Sequence, residues 1–471
     1  MDKEEFKKYG YEFIDWIADY FENVKNYPVK SPVSPGGIKS KLPDFPPDQS
    51  ESVSDIWNDF RDIILPGITH WQHPGWFAYF PANNSPASVL GELLTAGIGA
   101  QCMSWETSPA ATELEEVVMN WLRNMLGLPE NFSGVIQDTA STATLCALLT
   151  ARESKTKYSS NAKGFYEKLR VYASSEVHSS IEKGVKIAGY GRENLQYITT
   201  DENYAMLPGE LEKAIKSDVQ AGYKPACVIA TIGTTSSMAV DPVAEIGEIC
   251  KKYGVWLHVD AAMAGTAAIL EEMKYLVRGL EFADSFVFNP HKWLMTNFDC
   301  SAYFVKEPEH LIRTLAINPE YLKTAKDAQV NNYRDWGIQL GRRFKALKLW
   351  FVIRQYGVDG LKAIIRKHID MAAQFAKWVE ASEEFELVAP ANLSLVCFRW
   401  NDGNTSEDKL NDINKKLLEK INESGKVYLT HTVLSGKYTI RMSVGQRTTE
   451  KEDVERAWEV IRDCVGEFIN K

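Results

Sequence analysis

The chain has 471 residues, too many for one small core and suited to a large domain with satellites, at roughly 100–200 residues per domain. Its 45% hydrophobic and 25% charged content is ordinary for a globular protein. A net charge of −10 and a pI near 5.5 argue against a nucleic acid or an anionic membrane surface as the main partner, so any phosphate must be held by a local site.

Residues 4–24 carry Phe6, Tyr9, Phe13, Ile14, Ile17, Phe21 and Val24 at helical spacing, which predicts a helix with one apolar stripe. The stripe covers either the rest of its own chain or a partner. The charged start and the lack of any run of about 18 apolar residues predict a soluble, cytoplasmic protein. Between residues 27 and 47, Pro28, Pro32, Pro35, Pro43, Pro46 and Pro47 forbid a long helix and predict an extended arm. Residues 70–81 are dense in aromatics (Trp71, Trp76, Phe77, Tyr79, Phe80), a pattern that by itself most often means core. His70 and His73 lack a third ligand, so no metal is read there. The cysteines at 102, 146, 227, 250, 300, 397 and 464 are odd in number and contain no Cys-x-x-Cys pair. They read as core thiols in a reducing compartment.

Residues 134–137 predict a strand, and 138–151 a helix opened by Thr139, Ala140 and Ser141, which either cap it or bind a phosphate there. A strand over 170–174 precedes His178 and a helix whose Ser179 and Glu182 fit a capping box. Residues 227–235 form a strand that ends in small hydroxyl residues, Thr234 among them. The apolar strand over 255–262 ends in Asp260, where a core strand does not favour a carboxylate. The next apolar run, 286–288, opens directly into Asn289-Pro290-His291-Lys292-Trp293. Alternating strands and helices from about 134 to 304 predict a mostly parallel sheet. Ligands of such sheets sit at the carboxyl ends of the strands, so Asp260 and Lys292 can face one molecule. A Lys amine for a Schiff base and an Asp for a pyridinium nitrogen are what pyridoxal phosphate requires.

Residues 318–332 lack periodicity and read as a lid loop carrying Tyr321. Helices over 342–356 and 361–379 follow, then strands 385–388 and 395–400, a helix 407–423, a strand 438–444 and a helix 450–470, a small α+β domain. Neither a Gly-x-Gly-x-x-Gly nor a Gly-x-x-x-x-Gly-Lys motif is present, so nicotinamide and nucleoside-triphosphate readings lack their fingerprints.

With Asn289, His291, Lys292 and Trp293 in place, the chain resembles, over nearly its whole length, the group II pyridoxal-phosphate decarboxylases. It is most similar to the aromatic-L-amino-acid decarboxylases, whose lysine motif is Asn-Pro-His-Lys-Trp. The resemblance implies a fold-type I pyridoxal-phosphate-dependent transferase-like α/β fold: a helical N-terminal arm and dimerisation segment (1–85), a large cofactor-binding domain (86–345) and a small C-terminal α+β domain (346–471). It implies a homodimer with its site at the subunit interface, acting on a small aromatic amino acid, with neither nucleic acid nor membrane as partner. By the same resemblance, Lys292 holds pyridoxal 5'-phosphate, Asp260 pairs with its ring nitrogen, His178 stacks on the ring and Thr139, Ala140 and Ser141 hold the phosphate. Thr234, Asn289 and His291 lie beside the cofactor, and Tyr321 is the proton donor of the lid.

Trp71, Tyr79, Phe80 and Pro81 match residues that line the pocket for an aromatic side chain, and Met103 one that reaches in from the other subunit. Gly341 matches a position where indole-preferring plant relatives have Gly and phenol-preferring ones commonly Ser. Two residues depart from the pattern: Ala82 stands for a Thr of animal dopa-type members, and Asp138 for the common Gly. The implied reaction is decarboxylation of dopa, tyrosine, tryptophan, 5-hydroxytryptophan or phenylalanine to the arylalkylamine. The nearest alternative is an aromatic acetaldehyde synthase on the same scaffold, which commonly has Phe where this chain has Tyr321. A non-catalytic dimeric scaffold is disfavoured by intact Lys292, Asp260 and His178.

Overall fold

The structure, a computed structural model, describes all residues except Asn318, Lys323, Ala325, Ala328, Asn470 and Lys471, and only the backbone of Tyr321, Glu467, Phe468 and Ile469. It divides into two compact units. The larger comprises Ala82–Ala376 and Leu387–Cys397; the smaller comprises Met1–Pro81, Lys377–Glu386 and Phe398–Lys471. Residues Met1–Pro81 thus group with Phe398–Lys471, and the larger unit runs on to Ala376. Among the described residues no helix is long and apolar enough to cross a membrane.

The larger unit is built on a seven-stranded sheet: β1 (Ser133–Gln137), β2 (Leu169–Ser174), β3 (Leu195–Ile198), β4 (Lys224–Thr231), β5 (Trp256–Asp260), β6 (Ser285–Phe288) and β7 (Ser301–Val305). Its order is β1-β7-β6-β5-β4-β2-β3. β7 runs antiparallel to both β1 and β6, and the other pairs are parallel. β1 therefore points the same way as β6, so β1, β2, β4, β5 and β6 all end on one edge. β5, β6 and β7 are buried along their whole length, which is why these strands read as unbroken apolar runs: helices cover both faces of a parallel sheet.

The helix Ala140–Lys155 lies on this sheet through Ala143, Cys146 and Ala147, packed with Val135, Val287 and Tyr303 in one cluster. Small residues on that face let the helix axis approach the strands. A buried polar chain crosses the same contact: Thr144 of the helix bonds His258 Nε2 (3.1 Å), and Ser285 Oγ bonds His258 Nδ1 (2.9 Å) and accepts from Trp256 Nε1 (3.0 Å).

One local expectation is corrected. The capping box at Ser179 and Glu182 does not form; the helix Ser180–Ile187 has no cap from Ser179, and the His178 ring takes the Ser180 N–H through Nδ1 (3.2 Å) instead. The two helices expected over 342–356 and 361–379 are found within Lys345–Glu380, separated by a kink at the non-helical Gly357, whose φ of 64° lies in the left-handed region.

In the smaller unit the first helix spans Lys3–Asn23, capped by Asp2, whose carboxylate accepts the N–H groups of Glu4 and Glu5 (2.9 Å each). Of its residues only Tyr9 is buried. The proline-rich arm holds only a short 3-10 turn, Lys39–Lys41. The chain's second sheet, β8 (Phe385–Leu387), β9 (Leu395–Trp400), β10 (Thr430–Leu434) and β11 (Lys437–Ser443), has the order β10-β11-β9-β8; its antiparallel pair β10 and β11 lies wholly in the smaller unit.

Candidate active site

At the carboxyl edge of the large sheet, Thr231 at the end of β4 pairs with Asp260 at the end of β5, and Asp260 with Val287 of β6. Backbone bonds join the segments that leave these strands: Ile232 N–H to Asp260 O, Ala261 N–H to Val287 O and Asn289 N–H to Ala262 O, each 2.9 Å. The turn bearing Lys292 is thereby fixed beside Asp260.

That turn, Pro290–Trp293, is held by its own side chains. Asn289 Oδ1 accepts from Ser301 Oγ; His291 Nδ1 accepts the Cys300 N–H (2.9 Å); Trp293 Nε1 donates to His368 Nδ1 (2.9 Å). Asn289 and His291 thus face their own chain, and burial pushes the His291 pKa down to about 3, keeping it neutral. Asn83, buried at 1% exposure, donates from Nδ2 to the Lys292 carbonyl (2.7 Å).

Asp260 is 6% exposed and accepts one bond, from the Ala262 N–H (3.0 Å). Among the described residues it forms no ion pair. A buried carboxylate without a cation is costly, and a pyridinium nitrogen would satisfy it. His178 lies within electrostatic reach of Asp260 and Lys292: desolvation first, then the Lys292 ammonium, lower its pKa, and Asp260 opposes them. Its Nδ1 also bonds Ser180 Oγ (2.8 Å), which leaves Nε2 and the ring face open. Thr234, fully buried, bonds Ser237 Oγ (3.0 Å) and accepts the Ala239 N–H (3.1 Å), shaping the loop after β4.

After β1, Thr139 is the N-cap of the helix Ala140–Lys155; its side chain takes the Thr142 N–H (3.3 Å). The N–H groups of Ala140 and Ser141 belong to the first turn and have no intrahelical acceptor. With the helix dipole they form a site for an anion, and Ser141 is exposed at its mouth. Cap and phosphate site are here compatible, since Thr139 caps through Thr142 and leaves the two preceding N–H groups free. Asp138 turns its carboxylate to Lys345 and to Gln339 Nε2 (2.6 Å).

Met103 and Gly341 are brought together by backbone pairing: the Cys102 N–H bonds the Arg342 carbonyl (3.0 Å), and Gln101 Oε1 accepts the Arg342 N–H (2.8 Å). Arg342 is anchored by Glu115, which also takes the Ile136 N–H of β1 (2.8 Å). In the smaller unit, Trp71, Trp76 and Tyr79 form one aromatic group, with the Trp71 and Tyr79 rings stacked at 5.8 Å. Trp76 is buried while Trp71 and Tyr79 stay exposed; Phe80 and Pro81 are buried, with Arg441 5.4 Å from the Phe80 ring. His70 bonds Tyr20 OH (2.8 Å), and His73 accepts the Gly75 N–H (2.9 Å). The side chain of Tyr321 lies outside the described residues. Sequence reasoning missed Asn83 and Lys345, because their partners stand 209 and 207 residues away in the chain.

Residues 35–401 match the model of the pyridoxal-dependent decarboxylase conserved domain. The chain is 45% identical to phenylacetaldehyde synthase of Arabidopsis thaliana, over 100% of this chain and 98% of that one. It is 45% identical to tyrosine decarboxylase 2 of Narcissus pseudonarcissus, over 98% of this chain and 94% of that one. Among solved structures, Oryza sativa TDC with PLP and tryptamine superposes with a TM-score of 0.96 at 37% identity, covering 99% of both chains.

Proposed function

The chain belongs to the pyridoxal-dependent decarboxylase family, and on that premise we propose that it removes the α-carboxyl group of an aromatic L-amino acid, releasing carbon dioxide and the arylalkylamine. The observation that carries this reading is the buried, cation-free carboxylate of Asp260 beside the Lys292 turn, at the edge where the first N–H groups of Ala140–Lys155 are free for an anion. These residues fit pyridoxal 5'-phosphate: Thr139, Ala140 and Ser141 would hold its phosphate, Asp260 its ring nitrogen, Lys292 its aldehyde carbon. Bound there, it supplies a sink for the electron pair released as the carboxylate leaves. Asp260 keeps the ring nitrogen protonated, since its negative charge favours the cationic form. His178, kept neutral by its surroundings, offers a ring face and no competing charge. Tyr321 then delivers a proton to the α-carbon; this role rests on the family resemblance.

We read the working form as a homodimer. Phe6, Tyr11 and Ile14 are exposed on the first helix, as are Leu90, Leu93, Leu94 and Ile98 on the helix Pro86–Ile98. Exposed apolar side chains on one helix are the kind of surface that protein interfaces cover.

A second reading, aromatic acetaldehyde synthase, has a specific basis in the Arabidopsis relative. The two differ in what reaches the α-carbon, a proton or dioxygen. A positioned acid contributes about 10²–10⁴-fold to a proton transfer, enough to favour amine. The experiment is a panel of aromatic amino acids scored for amine and carbon dioxide against aldehyde and peroxide, in air and under nitrogen, for the wild type and Tyr321→Phe. The wild type should make amine with little peroxide, and Tyr321→Phe should make aldehyde and peroxide in air. Mainly aldehyde from the wild type would establish the second reading. Unchanged amine production by Tyr321→Phe would move the proton to another donor.

A further inference from the structure

Asp138 stands immediately before Thr139–Ser141, the phosphate site of the proposed function, on which this inference rests. A carboxylate beside a dianion is unfavourable unless a cation cancels it. The structure provides one. Lys345 Nζ ion-pairs with Asp138 Oδ1 and lies 3.1 Å from Asp299 Oδ2, with its side chain only 11% exposed. Asp138 Oδ2 is held on its other side by Gln339 Nε2 (2.6 Å), so neither oxygen turns to the helix N-terminus, which Thr139 caps. The other cations lining the same cavity of about 270 Å³ are engaged elsewhere, Arg342 with Glu115 and Arg343 with Glu92. Lys345 alone among them contacts Asp138.

We propose that Lys345 is a positioning residue for the cofactor phosphate: by holding and neutralising Asp138 it keeps the cup at Thr139–Ser141 open to a dianion. Lys345 need not touch the phosphate for this. Its removal leaves the Asp138 charge uncompensated next to the first turn, and with it that of Asp299, and the penalty falls on the phosphate rather than on the ring or on Lys292.

The test uses the apo-protein of the wild type, Lys345→Met, Asp138→Asn, the double variant and Lys345→Arg, titrated with pyridoxal 5'-phosphate and separately with pyridoxal, which lacks the phosphate. Binding is followed by the absorbance of the bound chromophore. Lys345→Met should weaken pyridoxal 5'-phosphate on the order of tenfold, the size expected of one unscreened charge several ångströms away, and leave pyridoxal almost unchanged. The double variant should recover most of the loss, and Lys345→Arg should bind as the wild type does. An equal loss for pyridoxal, or a double variant as weak as Lys345→Met, would overturn the proposal in favour of a purely structural ion pair. Failure of the wild type itself to bind pyridoxal 5'-phosphate would instead overturn the underlying reading of the cup, and the inference with it.

Discussion

Gly341 shows how little separates a specificity residue from a structural one. A Cβ built there meets a single atom within 4 Å, Gln101 Nε2 at 3.1 Å, the far end of a side chain whose Oε1 accepts the Arg342 N–H. Glycine is therefore not demanded by backbone conformation or by packing in this chain, and the position is free to serve the substrate. Serine should be accommodated by a small movement of the Gln101 amide, with stability changed by no more than about 0.5 kcal/mol. It should shift preference from indole toward phenol rings, since a hydroxyl takes room from a bicycle and offers a partner to a phenol. Discrimination of this kind is worth about 1–3 kcal/mol, or roughly 10–200-fold. The ratio of kcat/KM for tryptophan and tyrosine, compared between the wild type and Gly341→Ser, measures it. An unchanged ratio would reduce Gly341 to a glycine at the approach to a helix.

At the scale of the element, the chain Thr144–His258–Ser285–Trp256 fastens the helix Ala140–Lys155 to β5 and β6. Burial lowers the His258 pKa to about 4, while the unfolded chain takes up a proton near 6.5. The folded state is thus favoured fully above pH 6.5, and this contribution is lost as pH falls from 6.5 toward 4. His73, lowered to about 4, and His291, lowered to about 3, act in the same direction. Asp241 and Asp284, both raised to about 6 by burial, act oppositely and regain stability as they protonate below pH 6. Unfolding temperature should therefore fall from pH 6.5 to 4. His258→Gln should be less stable at pH 7.5 by about 1–3 kcal/mol, the cost of a broken buried network, but should show a shallower acid slope. Parallel curves for the two proteins would remove His258 as a source of the slope.

Elements such as β5 and β6 were legible in the sequence because their side chains are buried on both faces and the apolar run stops where chemistry begins, at Asp260 and at Asn289. The first helix, expected over 4–24 and found at Lys3–Asn23, was legible for another reason, the helical spacing of its apolar residues. What was not legible depends on partners distant in sequence. The Ser179–Glu182 spacing is a correct local pattern, defeated because the His178 ring reaches the Ser180 N–H first. Asp138 departs from the common Gly, and the residue that holds its carboxylate, Lys345, stands 207 residues along the chain. The antiparallel placement of β7 between β1 and β6, and the grouping of residues 1–81 with the C-terminal ones, likewise follow from pairings that no local spacing records.

For the whole molecule, the decisive surface is the apolar one left in water by a single chain. Phe6 and Tyr11 are 67% and 69% exposed, and Leu93 and Ile98 are 52% and 63% exposed. Each such side chain gains about 1.5–3 kcal/mol when buried, which favours association of two copies. If the site is shared, as the family resemblance implies, Met103 serves the Lys292 of the other copy, and two defective proteins can repair each other. Lys292→Ala has no lysine to hold the cofactor; Met103→Asp places a charge against the aromatic ring. In a mixed dimer, one site combines both defects and the other combines intact Lys292 from one copy with intact Met103 from its partner. Free exchange of equal amounts yields mixed dimers in about half of the population, so about a quarter of all sites become intact. Activity should rise to about that fraction of wild type after subunit exchange, with each variant alone near zero. A Met103 that acts on its own subunit's lysine gives no such recovery, because the copy with intact Lys292 then always carries the Met103→Asp change in the same site; a mixture that stays inactive while sizing as a dimer would therefore place Met103 in its own copy's site.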